Sequence, residues 1–298
     1  MKPFIRLTQV ARARWLVPLL ISLVCLLGGR PLQAAAPAEQ SPGFAAEVEL
    51  PAELGTIVYR TPGASSSTIY IIANGHRSAL SGANQPKVLQ AQIETFRIGE
   101  WLLSRNRIAL LLPEGFFGEM VAVDGAEADS RRLDSRTLQT ALTDTTHFVN
   151  AELLLHEKYG IGLEQVEDRQ LYLDVRDRFA SSRRGGGDFS FTLFSELAYL
   201  QKLRTASMLQ TAPTVIAAAY RQGRIAAPNA MMTIGLDHLQ DMIAFLQAGE
   251  IDMAGLRTAE RFFPPQHGGL ELFKRQVGVM VIVPRALLAE EYPVQRSS

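Results

Sequence analysis

The chain has very little cysteine. Its 298 residues include a single thiol, Cys25, which lies inside an apolar run near the amino terminus. Lipid attachment at Cys25 is not expected, because the residue before it, Val24, is large. A chain that loses this segment on export has no thiol at all, which excludes disulfides, a cysteine nucleophile and a thiolate metal site.

Long apolar runs are also scarce, and the clearest one spans residues 15–27. Basic residues precede it, and three alanines at 34–36 follow it, a pattern typical of a secretory signal peptide. The run is shorter than the roughly 18 to 20 apolar residues that span a membrane, so an uncleaved anchor is the second interpretation. We predict a signal peptide at residues 1–36, cleavage between 34 and 38, and a periplasmic protein that meets the membrane only through this peptide.

An excess of positive charge is absent too. Residues 1–36 contain five basic and no acidic residues, so their removal leaves 25 basic against 30 acidic residues. A net negative chain gives no electrostatic reason to expect nucleic acid as a partner. A small-molecule or peptide substrate is the expected partner instead.

The composition, 47% hydrophobic and 20% charged, is that of an ordinary globular protein with ample material for a core. We predict a linker at residues 37–54, which contains three prolines, and a single α/β domain at residues 55–290. Helix and strand patterns interleave along this domain, which favours a mainly parallel central sheet flanked by helices.

The first half of the domain predicts three strands and a helix. Residues 55–60 and 68–73 have strand composition, and Pro62 with the glycine after it marks a turn, so we expect a hairpin. A helix at 86–104 and a continuous apolar strand at 108–112 follow. A strand, a helix and a strand in this order predict two parallel strands.

The second half continues the alternation. Asp237 is the expected N-cap of a helix that Gly249 ends, and Pro213 is expected to interrupt or kink a long helical segment. Residues 120–140 are interpreted as an excursion above the sheet. The remaining predicted segments are a helix at 143–159, a short strand at 163–166, a helix from 168, a loop at 181–188, helices at 192–211 and 212–222, and strands at 230–234 and 277–283.

Four chemically capable side chains follow the predicted ends of four strands. They are His76, Glu114, Glu167 and His238. The carboxyl ends of parallel strands share one edge of a sheet, where open α/β sheets bind their ligands. We therefore predict that these four residues form one site. The alternative is that each is an ordinary polar residue of an exposed loop.

Two chemistries suit such a group. His76, Glu114 and His238 can hold Zn²⁺, Mn²⁺ or a similar ion and lower the pKa of its bound water to roughly 7. Without a metal, an imidazole or carboxylate serves as general base and a protonated carboxyl as acid. His238 is expected in the first turn of its helix, where the helix dipole disfavours the imidazolium form. The wide sequence spacing of these residues leaves the choice open.

The same residues resemble the motifs of a superfamily that joins TraB/PrgY proteins, Tiki-type and GumN-type proteins, erythromycin esterases and haem-binding ChaN proteins. Its hallmarks are a strand followed by Gly-x-x-His, a glutamate after the next strand, and a second Gly-x-x-His that opens a helix. Gly235 and His238 match the second motif and Glu114 matches the acidic position. The first motif is altered, since Ala73 stands at the glycine position before His76.

Two further positions carry the resemblance, which spans roughly residues 55–250. Glu167 resembles an acidic turn of several branches, and Arg204 falls where many members have an arginine on the helix before the second motif. The resemblance implies an α/β fold similar to erythromycin esterases and ChaN proteins, with these residues in one cleft. Arg204 would clamp a substrate carboxylate or orient Glu114, although an arginine at the surface is the commoner case.

The leading hypothesis is an exported hydrolase, peptidase-like or esterase-like and metal-assisted, that uses His76, Glu114, Glu167, Arg204 and His238. The first alternative is a haem- or ligand-binding protein, with a histidine or an exposed Tyr70 on the iron. The second is a non-catalytic periplasmic regulatory or interaction module. The other histidines are interpreted as structural (His147 and His156) or as a loop residue (His267).

Overall fold

A six-stranded sheet lies at the centre of the fold. The structure is a computed structural model, and it describes residues 49–62, 65, 67–75, 85–117, 135–143, 150–184, 191–251 and 268–288. The strands of the sheet, in spatial order, are β1 (Gly55–Arg60), β8 (Val277–Pro284), β2 (Ser67–Asn74), β5 (Ala230–Gly235), β3 (Leu110–Pro113) and β4 (Gly162–Leu163). Within it β1 is antiparallel to β8, and all other neighbours are parallel. A separate antiparallel pair joins β6 (Glu250–Ile251) to β7 (Gly268–Gly269).

Helices cover both faces of this sheet. They are α1 (Pro86–Leu103), α2 (Ser135–Thr143), α3 (Ala151–Tyr159), α4 (Arg169–Arg184), α5 (Phe191–Arg221), α6 (Leu236–Ala248), α7 (Glu271–Lys274) and α8 (Arg285–Leu288). Alternate strand residues point to opposite faces. Tyr70, Leu111 and Met231 pack with α1, α2 and α3, whereas Ile71 and Leu112 pack with α4, α5 and α6. The predicted α/β class with a mainly parallel central sheet between helices is confirmed.

The predicted hairpin of β1 and β2 is wrong. β8 lies between these two strands and pairs with both of them. Every residue of β8 is buried, so both of its edges need hydrogen-bonding partners, and β1 and β2 supply one each. The short sequence separation of β1 and β2 predicted that they pair with each other, but each pairs with the distant β8 instead.

Several helix and strand boundaries also differ from the predictions. α3 covers the second half of the predicted helix at 143–159, and α2 lies mostly in the segment at 120–140 that was interpreted as an excursion above the sheet. The strand predicted at 163–166 is the two-residue β4. α4 extends into the predicted loop at 181–188, and α5 continues through Pro213. Leu209 and Ile216 are buried on either side of this proline, so packing holds the helix together across the missing hydrogen bond.

The turn after β5 is tighter than the capping pattern predicted. Gly235 is the last residue of β5 and also the N-cap of α6, and it makes no side-chain cap bond. The prediction of Asp237 as N-cap is therefore wrong, since this residue lies inside the first turn. His238 lies in that turn as expected, and Gly249 ends the helix in a left-handed conformation.

The chain leaves β3 and β5 in opposite directions across the sheet. β3 is followed by β4 at one edge, whereas the next sheet strand after β5 is β8, on the other side of β2. Connections that diverge from neighbouring strands open a crevice at the carboxyl ends of these strands. Glu114 directly follows β3 and His238 lies in the first turn after β5, so both residues are at this crevice.

Close packing holds α3 against α1. A Cβ added at Gly99 of α1 would lie 2.3 Å from Cδ1 of Leu155, a fully buried residue of α3. We expect Gly99→Val to destabilise the fold by about 1–3 kcal/mol, because overpacking forces the two helices apart. Urea unfolding measures this, with Glu157→Val at an exposed position of α3 as the control. Equal stability of the two variants would contradict the close packing.

The predicted signal peptide lies outside the described residues. In the described part of the chain, no helix combines the length and the apolar character that crossing a membrane requires.

Candidate functional site

A buried arginine links two of the predicted site residues. Arg204 of α5 is 3% exposed. Its Nη2 donates to Oε1 of Glu114 at 3.0 Å, and its Nε donates to Oε1 of Glu167. Burial acts to lower the pKa of Arg204, but the two carboxylates outweigh it and the pKa is raised. The guanidinium therefore stays charged and compensates two negative charges.

Glu167 and Glu114 are held by the backbone as well. Oε2 of Glu167 accepts the N–H of Gly115 at 2.8 Å, and Oε2 of Glu114 accepts the N–H of Gly235. Glu114 is itself fixed to the sheet, because its N–H donates to the carbonyl of Thr233 at 3.0 Å. Each carboxylate thus accepts from Arg204 and from one backbone N–H. The site is rigidly tied to the ends of β3 and β5.

His238 contacts Glu114 on one side and a threonine on the other. Its Nε2 lies 3.2 Å from Oε1 of Glu114, and its Nδ1 lies 2.7 Å from Oγ1 of Thr205 on α5. Both His238 and Thr205 are buried. The imidazole therefore links the carboxylate of Glu114 to the buried face of α5.

The hydroxyl of Thr205 lies between His238 and a backbone carbonyl. Its hydroxyl lies 3.0 Å from the carbonyl oxygen of Gln201, one turn earlier on α5. A carbonyl oxygen only accepts, so when the single hydroxyl proton goes to it, Oγ1 accepts the Nδ1–H of His238. Nε2 of His238 then faces Oε1 of Glu114 at 3.2 Å, and one proton between these two atoms makes a hydrogen bond.

Aromatic rings cover Arg204. The guanidinium carbon lies 5.5 Å from the ring centroid of Tyr172 on α4, and the ring of Phe117 lies 5.0 Å from that of Tyr172. Burial raises the pKa of Tyr172, and the charge of Arg204 lowers it less. The rings limit the contact of the charged cluster with water, which strengthens the interactions inside it.

A further carboxyl approaches the cluster from the opposite face of the sheet. Glu152, in the first turn of α3, is 2% exposed. The Thr233 hydroxyl hydrogen-bonds its carboxyl group, and its Oε2 has no partner in the described part of the chain. Burial raises the pKa of Glu152, and the negative charge of Glu114 raises it further. This carboxyl holds its proton more tightly than an exposed glutamate does.

The structure brings four of the five predicted site residues into one contact network: Glu114, Glu167, Arg204 and His238. The fifth, His76, lies outside the described residues, as do His147 and His267. The preference for an arginine at the surface is wrong for Arg204, which is buried. His156 is bonded through Nδ1 to the carbonyl of Ile161 at 2.6 Å, which fits its structural interpretation.

Sequence reasoning missed Thr205, Glu152 and Gln201. Thr205 is next to Arg204 in sequence, but helical phase alone does not reveal which of the two faces the histidine. Glu152 carried a usable signal, because it is a charged residue in the otherwise apolar start of α3, directly before three leucines. Such a residue on a buried face needs either a partner or a function.

The described residues contain two of the three predicted metal ligands. Among them, no group of three or more His, Cys, Asp or Glu side chains is arranged to hold one. The predicted ligands Glu114 and His238 are in contact, but the third, His76, is not described. The Glu114 oxygen that faces His238 also faces Arg204, so a divalent cation there would lie beside a fixed positive charge.

Of the iron ligands suggested for haem binding, the structure contradicts Tyr70. Tyr70 was expected to be exposed, but it is 2% exposed and packs in the core beneath α1 and α3. Side chains alternate between the two faces of β2, and Tyr70 points to the face that α1 and α3 cover.

Comparisons of the chain with protein-family models, with characterised proteins and with solved structures give no match. The resemblance to the Gly-x-x-His superfamily therefore rests on the sequence motifs and stays a prediction.

Proposed function

We propose that the protein is an exported hydrolase, peptidase-like or esterase-like, that works by general acid–base chemistry at the crevice between β3 and β5. The observation that carries this proposal is the contact of Glu114 with His238, in which Nε2 lies 3.2 Å from Oε1 of the carboxylate. Glu114 has a side chain 11% exposed, more than Arg204, Glu167 or His238. It is the member of the network that reaches a substrate.

In this mechanism Glu114 is the catalytic base. A water molecule attacks the carbonyl carbon of the substrate, and its proton passes to Oε1 of Glu114. There His238 Nε2, 3.2 Å away, accepts a hydrogen bond from the new O–H and shares the proton. General base catalysis of this kind contributes roughly 10²- to 10⁴-fold to the rate. The leaving group takes a proton in turn, and the products are an acid and an alcohol or amine.

Arg204, Glu167 and Thr205 are positioning residues. Arg204 holds Glu114 ionised and oriented, and Glu167 compensates part of the arginine charge. Thr205 contacts Nδ1 of His238 and orients the imidazole ring. Three buried ionisable groups in contact with a fourth, partly exposed one cost stability, and active sites are where such arrangements are commonly kept.

The motif resemblance and the predicted signal peptide support the proposal of an exported hydrolase. Hydrolysis is attributed to two branches of that superfamily, and a leader of this type directs a protein to the periplasm. The proposal is stated without a metal ion, because the Glu114 oxygen that would bind a cation already accepts a hydrogen bond from Arg204.

A substrate panel tests the proposal. The full-length protein, purified after expression with its own leader, is assayed on p-nitrophenyl acyl esters, alkyl esters and fluorogenic peptides. We expect hydrolysis of at least one class, and a loss of roughly 10²-fold or more in kcat/KM for His238→Asn.

The matched control is His156→Asn, at a histidine that bonds only a backbone carbonyl among the described residues. This variant is expected to hydrolyse at the wild-type rate. Wild-type protein that cleaves none of the three classes, or equal activity of the two histidine variants, would overturn the proposal.

A further inference from the structure

Glu152 differs from the other buried glutamates of the described chain. Glu94 is also buried, but its Oε1 accepts from Gln90 at 2.9 Å and its Oε2 accepts the N–H of Ala286 at 2.7 Å. Both oxygens of Glu167 are bonded as well, to Arg204 and Gly115. Oε2 of Glu152 is bonded to nothing in the described residues. The hydrogen bonds of Glu94 and Glu167 give both residues a structural role, whereas the free oxygen of Glu152 is not explained by one.

The structure also fixes Glu152 beside the proposed base. Gln92 of α1 accepts the N–H of Ala151 at 2.9 Å, which anchors the first turn of α3. Thr233 bonds the Glu152 carboxyl through its hydroxyl and Glu114 through its carbonyl oxygen. One residue of β5 therefore connects both carboxyl groups, and Arg204 and Glu152 approach Glu114 from opposite faces of the sheet.

The two carboxyl groups have opposite environments. Glu114 accepts hydrogen bonds from a guanidinium and a backbone N–H, which favour its ionised form. Glu152 is buried, and the charge that acts on it is that of Glu114. The neighbouring side chains on α1 and β5, Gln92 and Thr233, are uncharged. Neighbouring acids whose environments favour different protonation states are the usual arrangement of a base and an acid.

We propose that Glu152 is the proton donor of the site and delivers its carboxyl proton to the leaving group of the substrate. This inference rests on the proposed hydrolase function. Glu114 takes the proton of the attacking water, the bond from the carbonyl carbon to the leaving oxygen or nitrogen breaks, and the leaving atom takes the proton of Glu152. The proton on Glu114 then returns to Glu152, so the cycle closes with one water consumed.

The choice of leaving group tests this role. Glu152→Gln keeps the shape of a protonated glutamate but has no proton to give. For p-nitrophenyl esters, whose leaving group departs without protonation, we expect kcat/KM within a few-fold of wild type. For alkyl esters and peptides we expect a loss of roughly 10²-fold or more. Glu94→Gln is the matched control and is expected to leave both rates unchanged. Equal effects of Glu152→Gln on both substrate classes would overturn the assignment.

A second measurement needs no activity and so separates this inference from the proposed function. Below about pH 4.5 Glu152 is protonated in both folded and unfolded chains; above it the unfolded chain loses the proton first, because the folded pKa is raised. The wild-type unfolding constant should therefore gain up to about tenfold per pH unit relative to Glu152→Gln. A stability difference that is independent of pH between 5 and 8 would show that Glu152 is not held protonated, and would overturn the donor role.

Discussion

Arg204→Met is expected to destabilise the protein by about 3–5 kcal/mol. The substitution removes the guanidinium that contacts both Glu114 and Glu167, and it leaves two negative charges near each other with little access to water. Methionine is similar in length to arginine and fills most of the same space. The loss of stability therefore comes from the missing positive charge and not from a cavity. Urea unfolding followed by circular dichroism measures the effect as a lower midpoint with an unchanged slope.

The control for this prediction is Arg224→Met. Arg224 also pairs with a glutamate, Glu164, but both side chains are substantially exposed. Water and salt screen such a pair, and its loss should change stability by about 0–1 kcal/mol. Adding Glu167→Leu to Arg204→Met should recover part of the stability, because it removes one uncompensated charge. Equal stability of the two arginine variants would contradict the network at the centre of the site.

The second large effect is expected for catalysis. Glu114→Gln should lower kcat/KM by roughly 10²- to 10⁴-fold on whichever substrate class the wild type hydrolyses, because an amide does not take the proton of the attacking water. The single amide oxygen keeps one of the two hydrogen bonds, from Gly235 or from Arg204, and the variant loses the other. The circular dichroism spectrum is compared with that of the wild type to show that the fold persists.

Glu100→Gln is the matched variant outside the site. Glu100 lies on α1 and pairs with Lys158 of α3 at a partly exposed position. Its substitution should leave kcat/KM within experimental error of wild type. If the two glutamine variants are equally active, Glu114 is not the base.

Much of the fold was predictable because it follows from local pattern. The buried parallel strands at β3 and β5 are continuous apolar runs, and α1 and α6 show helical spacing with clear ends. The pairing of β1 with β8 was not predictable in this way. It joins residues more than 200 positions apart, and nothing local in either strand distinguishes it from a hairpin with β2.

The candidate site was predictable to the extent that strand ends located it. Glu114 and His238 follow β3 and β5 directly, and parallel pairing of these strands brings the two side chains together. Glu152 and Thr205 lie on helices instead. Their approach to the site depends on how α3 and α5 are rotated against the sheet. Side-chain packing determines this rotation, and it cannot be derived from a single sequence.

The central claim is that Glu114 and His238 act as one proton-accepting pair, and a double-mutant cycle on kcat/KM tests it most directly. If they share the same proton, Glu114→Gln combined with His238→Asn should lose no more activity than the worse single variant, because either change already disables the pair. Losses that multiply, so that the double variant falls by the product of the two single effects, would mean that the residues act independently and would contradict the account.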